Sequence, residues 1–183
     1  MLKPVYIVDE IGKVVTKVST ALLASLKAID PNVTGVQYYF GHYKEILETL
    51  GQMEGTSLAY SKYPAVCLFM DFPETTGKAP GIAAEVKLQM IIAYATDPNL
   101  KAAERYTKSF KPILYPIYNR FIDELMRSGR IMAPSKELIS HTKIDRLYWG
   151  RKGLFGNTGN VFNDYLDAIE IKDLNLKFYK PAC

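Results

Sequence analysis

One stretch, Tyr63 to Leu125, constrains the fold more than any other part of this sequence. It reads as an apolar strand (YPAVCLFMDF, 63–72), a ten-residue connection, a long second strand and then a long helix. In AAEVKLQMIIAY (83–94), Val86, Leu88, Met90, Ile92 and Tyr94 fall on one side, and Glu85, Lys87 and Gln89 on the other. That period of two predicts a strand with one face buried. Asp97-Pro98 offers an N-cap followed by proline at the first helical position. Leu100, Ala103, Thr107, Phe110, Leu114, Ile117, Phe121 and Leu125 then repeat every three or four residues as a core stripe. Pro112 and Pro116 lie inside it and predict a kink or break near Lys111. Tyr106, Tyr115 and Tyr118 fall off the stripe, as core padding or as a second face against a neighbouring subunit.

The flanks add elements of both kinds. Ile11, Val15, Val18, Leu22, Leu26 and Ile29 predict a first helix over 10–29, with Asp9 as N-cap and Asp30-Pro31 as its end. GVQYYFGHY (35–43) is strand-like, 43–50 forms a short helix stopping at Gly51, and 51–57 reads as loop. LISHTKIDRLYW (138–149) and the tail from Asp164 are strand-like. The tail's apolar positions change phase between Ile171 and Leu174, which predicts a turn or bulge near Lys172-Asp173. The expected fold is a single α+β domain over 1–183. It has one antiparallel or mixed sheet of four to five strands, packed by a long N-terminal helix and a long central helix.

At 183 residues, a domain of this size buries roughly 70% of its unfolded surface and needs no disulfide or metal staple. Cys67 lies in an apolar strand as a buried free thiol, and Cys183 is expected at the surface. Two lone cysteines suit a reducing compartment. No segment has the ~18 apolar residues of a membrane span. Residues 1–9 carry only Lys3 before Asp9-Glu10, which does not resemble a secretory signal. A soluble protein made inside the cell is expected, with no membrane partner.

Charge is unevenly placed. Between 127 and 152, seven cations (Arg127, Arg130, Lys136, Lys143, Arg146, Arg151 and Lys152) face only Glu137 and Asp145, a local +5 in a chain of net +4. Two readings stay open: a solvated basic face, or contact with a polyanion or acidic partner. Tyr148, Trp149 and Phe155 interleave with these cations, the combination a single-strand binder uses, although Tyr148 and Trp149 alternate sides and one of them belongs in the core. The connection PETTGKAPGI (73–82), carrying Lys78, and the loop GRKGLFGNTGN (150–160), carrying Arg151 and Lys152, read either as surface loops or as partner-contacting arms.

No catalytic constellation emerges. Glycines at 150, 153, 156 and 159 match neither phosphate-binding fingerprint, and Phe72 and Ala79 replace the defining residues around Gly77-Lys78. His42 and His141 are far apart, without a second ligand at helical spacing. No cysteine or serine has a nucleophile's context. A non-enzymatic protein without cofactor or metal is expected.

The segments YPAVCLFMDF, EVKLQMIIAYAT and AAERYTKSFKPILYPIYNRFIDEL resemble the tail-terminator, or tail-completion, proteins of long-tailed phages. The resemblance covers about half the chain, and the order helix, strand, long strand, helix, strands extends it. The family pattern is one of hydrophobicity and turns, with no catalytic or ligand motif to carry over. The strand-like 35–43 and the basic glycine-rich loop depart from it, which leaves a related neck or connector role open. The resemblance implies a homo-oligomeric ring, usually a hexamer, at the head-proximal end of the tail tube. Such a ring stops tube growth and docks the head connector or neck protein. The protein would then be a virion component assembled in the host cytoplasm. Its tube, connector or DNA-lumen contacts would come from Lys78, Arg127, Arg130, Lys143, Arg146, Arg151 and Lys152. The alternative is a nucleic-acid-binding protein using 127–152.

Overall fold

The long alternating strand is the centre of the molecule. The computed structural model describes residues 6–53, 61–76, 81–132, 139–149 and 164–179. In chain order the elements are α1 (Ile7–Ile29), β1 (Gln37–Gly41), α2 (Tyr43–Gln52), β2 (Ala65–Phe69), β3 (Glu74–Thr76), β4 (Ile82–Ala95), α3 (Ala102–Arg105), a π-helical segment (Tyr106–Leu114), α4 (Tyr115–Arg127), β5 (Thr142–Trp149) and β6 (Leu166–Tyr179). The strands form one mixed sheet in the order β1-β2-β4-β6-β5, with β3 also on β4. Only β1 and β2 run parallel; the other pairs are antiparallel. The fold is therefore α+β, with six strands rather than four to five. The added strand is β3, inside the connection read as loop, where Glu74–Thr76 pair with Ala84–Val86.

Alternation along β4 is kept over its first half and lost over its second, because the sheet is covered on both sides there. Val86, Leu88, Met90 and Ile92 pack with Ile11, Val15 and Val18 of α1 and Ile117, Phe121 and Leu125 of α4. Ile91 and Ala93 point the other way, into a smaller core with Ile46, Leu47 and Leu50 of α2, Cys67 and Trp149. Burial pushes the Cys67 thiol up to about 12.

Helix boundaries differ from the sequence reading for local reasons. Helix α1 starts at Ile7 with Tyr6 as N-cap, so Asp9 sits in the first turn beside Glu10, where both charges favour the helix dipole. Helix α2 runs through Gly51 to Gln52, and His42 caps it: Nδ1 accepts from Lys44 N–H at 3.2 Å, and Glu45 accepts from His42 N–H. Asp97 does not cap the central helix. Its Oδ1 accepts from Asn99 N–H at 2.8 Å, a local turn that competes with helix, so the helix begins at Ala102.

The helix is not broken at Lys111. The backbone passes from α3 through the nine-residue π segment into α4 without interruption. Tyr115 N–H reaches back five residues to Phe110 O, and Pro112 lies within these wider turns. The π segment also shifts the phase of the buried face. Phe110, Leu114, Ile117, Phe121 and Leu125 are buried as expected, but Ala103 and Thr107 are exposed. Arg105 and Ser109 are buried instead.

The phase change in β6 is a bulge within one strand. Leu88 pairs with Leu174 and Met90 with Ile171, leaving an extra residue on β6. Asp173 takes φ 55°, and its carboxylate meets Lys87 at 2.9 Å.

Candidate functional site: open sheet edges and a divided basic stretch

The sheet sends the basic residues to different places. Partners directly across two strands share a face, so Lys143 and Asp145, opposite Ile171 and Ile169, lie on the α1/α4 side. Arg146, opposite Ala168, lies on the α2 side. Three of these cations meet carboxylates: Lys143 meets Asp145, Arg146 meets Glu170 at 2.8 Å, and Arg127 meets Glu124 at 3.3 Å. Arg130 stands apart, lining a groove of about 400 Å³ with Glu10, Lys13, Lys17, Ser128 and Gly129. Lys78, Arg151 and Lys152, together with Lys136, Phe155, Cys183 and the loop 150–160, lie outside the described residues. One continuous basic patch is therefore not formed by Arg127, Arg130, Lys143 and Arg146.

Lys143 sits in an aromatic setting. Its Nζ lies 4.6 Å from the Tyr115 ring centre and 5.5 Å from that of Tyr118. Tyr115 donates its hydroxyl to Asp145 at 2.7 Å, which with burial pushes its pKa up to about 12. Tyr118 Oη lies 2.6 Å from His141 Nε2, and His141 Nδ1 lies 2.8 Å from Ile139 O. A carbonyl only accepts, so Nδ1 carries the proton and Nε2 accepts from Tyr118. Both histidines thus have structural partners. The tyrosines read as off-stripe are half-buried against β5, except Tyr106, which is exposed.

The strongest polar feature was not legible in the sequence. Arg105 and Asp167 are both fully buried and meet at 2.8 Å. Arg105 Nε donates to Leu100 O and its second terminal nitrogen to Asp97 O, each at 2.9 Å. The guanidinium also stacks 3.7 Å from the Tyr148 ring centre. Tyr148 holds φ 54° within a bulge of β5, which turns its ring under Arg105 while Trp149 enters the α2-side core. Nearby, Lys62 is buried against Asp164 at 3.0 Å, and Tyr63 donates to the same carboxylate at 2.8 Å. Both pairs anchor the start of β6, and the stacked Tyr148 ring ties the end of β5 to Arg105.

The sheet edges complete the site. β1 pairs only with β2, and β5 only with β6, among the described residues. Phe40 on β1 and Met70 just after β2 are 53% and 46% exposed, and Leu147 on β5 is 43% exposed. An edge strand with exposed large apolar side chains is a candidate joining surface. Among the described residues, no helix is long and apolar enough to cross a membrane. No family model, curated protein or solved structure matches this chain.

Proposed function

We propose that this chain is a structural assembly subunit of the tail-terminator or head–tail joining type. Copies close into a ring, six in the arrangement the resemblance implies, at the head-proximal end of a phage tail tube. The ring ends tube growth and presents a surface to the head connector or neck protein.

The observation that carries the reading is that β1 and β5, unlike strands at opposite ends of the main strand order, each have one open edge among the described residues and an exposed apolar residue. A subunit with two different joining surfaces makes heterologous contacts, which close into a ring when the rotation per step fits. The observed order of a long first helix, a β2–β4 antiparallel pair, a long central helix and two closing strands also agrees with the order the resemblance implies. The nucleic-acid reading has less behind it, since Arg127, Lys143 and Arg146 are already held by carboxylates.

Mass photometry of the purified protein across increasing concentration tests this function. The expected result is a discrete species at about six times the monomer mass, with few intermediates. A monomer at every concentration, with tail tube protein absent or added, contradicts it.

A further inference from the structure

Resting on that reading, we propose how the copies join: the free edge of β1 in one copy pairs with the free edge of β5 in the next, continuing the sheet from subunit to subunit.

The backbone of β1 is set up for this. Gln37 N–H donates to Pro64 O, and Met70 N–H donates to Gly41 O. In a parallel ladder this puts the N–H and C=O groups of residues 37, 39 and 41 toward β2. Those of Tyr38 and Phe40 then point outward, where no strand among the described residues meets them. β1 reads QYYFG, with neither a charge nor a proline to blunt the edge.

β5 fits as the partner on three counts. The first is strand sense. β1 runs with β2 and against β4; β5 runs against β6, which runs against β4. β1 and β5 therefore point in opposite directions, and rotation about a ring axis lying along the strands preserves that. The contact between copies is then antiparallel, the pairing with the better hydrogen bonds. The second is length. β5 is regular from Thr142 to Arg146 before its bulge, matching Gln37–Gly41 residue for residue. The third is charge. Lys143 pairs with Asp145 and Arg146 with Glu170 within the subunit, so an uncharged strand alongside leaves none of these ions alone.

Face matching sets the register. Tyr38 and Phe40 lie on the α1/α4 side with Val66 and Leu68, as do Lys143 and Asp145. Gln37 lies on the α2 side with Ala65, as does Arg146 with Ala168. A flush antiparallel ladder then sets Phe40 against Lys143, Tyr38 against Asp145 and Gln37 against Arg146.

Two variants test the interface. Phe40→Pro removes an outward N–H while sparing the β1–β2 ladder, and it is compared with Phe40→Thr, which keeps that donor. A Gln37→Cys/Arg146→Cys double variant, in a Cys183→Ser background, is oxidised mildly and resolved on a denaturing gel. The expected result is a folded Phe40→Pro protein whose assembly needs about 100-fold more protein than the parent. Disulfide-linked multimers should form from the double variant and from neither single variant. Parent assembly that survives Phe40→Pro unchanged, together with no cross-link, overturns the edge pairing and leaves the ring standing. Dimers cross-linked by Gln37→Cys alone show a two-fold β1–β1 contact and also overturn it. A parent that never assembles overturns ring and interface together. If Phe40→Pro fails to fold, the cysteine variants decide.

Discussion

Replacing Arg105 with alanine will destabilise the protein by about 3–5 kcal/mol, read from urea denaturation. The guanidinium is fully buried and, among the described residues, supplies the only side-chain hydrogen bond to the Asp167 carboxylate, whose Oδ2 has no partner among them. Truncation takes away the Asp167 carboxylate's charge partner in a buried setting, and removes one hydrogen bond from each of the Asp97 and Leu100 carbonyls. Arg105→Lys will recover only part of the loss, because one ammonium on a flexible stem cannot match a planar fork reaching three acceptors. The double change Arg105→Met/Asp167→Leu will be much milder than Arg105→Ala, since removing both charges removes the desolvation problem as well. If Arg105→Ala unfolds at the parent's urea midpoint, the buried pair does not hold the turn before α3 to the sheet.

The second large effect is alkaline unfolding between about pH 10 and 12. Among the described residues, seven tyrosines have raised pKa values. For Tyr38, Tyr39, Tyr43, Tyr63, Tyr94 and Tyr118, burial is the main cause. For Tyr115 it is the hydrogen bond to Asp145. Asp164 adds to the effect at Tyr63 and Asp30 at Tyr94. An unfolded tyrosine ionises near pH 10. Below that pH both states hold the phenolic proton, and the stabilisation is fully present. Above it the unfolded chain releases protons that the fold retains, so stability falls as pH rises toward the folded values, about 12 for Tyr43 and Tyr115. Phenolate absorbance at 295 nm and far-UV circular dichroism should therefore change together in one steep transition. A smooth absorbance titration centred at pH 10, with the dichroism intact, would count against this burial.

Legibility followed the range of the interactions. β4 could be read directly because its alternation is local and its first half meets a core on one side only. The bulge at Asp173 could be read because it shifts the phase of apolar residues within one strand. The burial of Ile91 and Ala93 could not, because it depends on α2 returning to the opposite face of the sheet. Arg105 was hidden by the assumption of 3.6 residues per turn. The π segment widens that spacing, so the extrapolated stripe falls on Ala103 and Thr107 and misses the arginine. The basic stretch was visible as composition, but its division was not. Lys143 and Arg146 part company because they sit on opposite faces of β5, and their carboxylates include Glu170 on a different strand. Phe40 and Leu147 read as ordinary strand residues. Their importance comes from strand order, since among the described residues β1 and β5 end the main run of strands and each has one neighbour.

Negative-stain imaging of the largest purified species shows whether the copies close on themselves. Class averages should show a closed ring with about six-fold symmetry and an open centre, lost in Phe40→Pro. Two-fold dimers or open filaments from the parent protein, or isolated monomers with tail tube protein both absent and added, would contradict it.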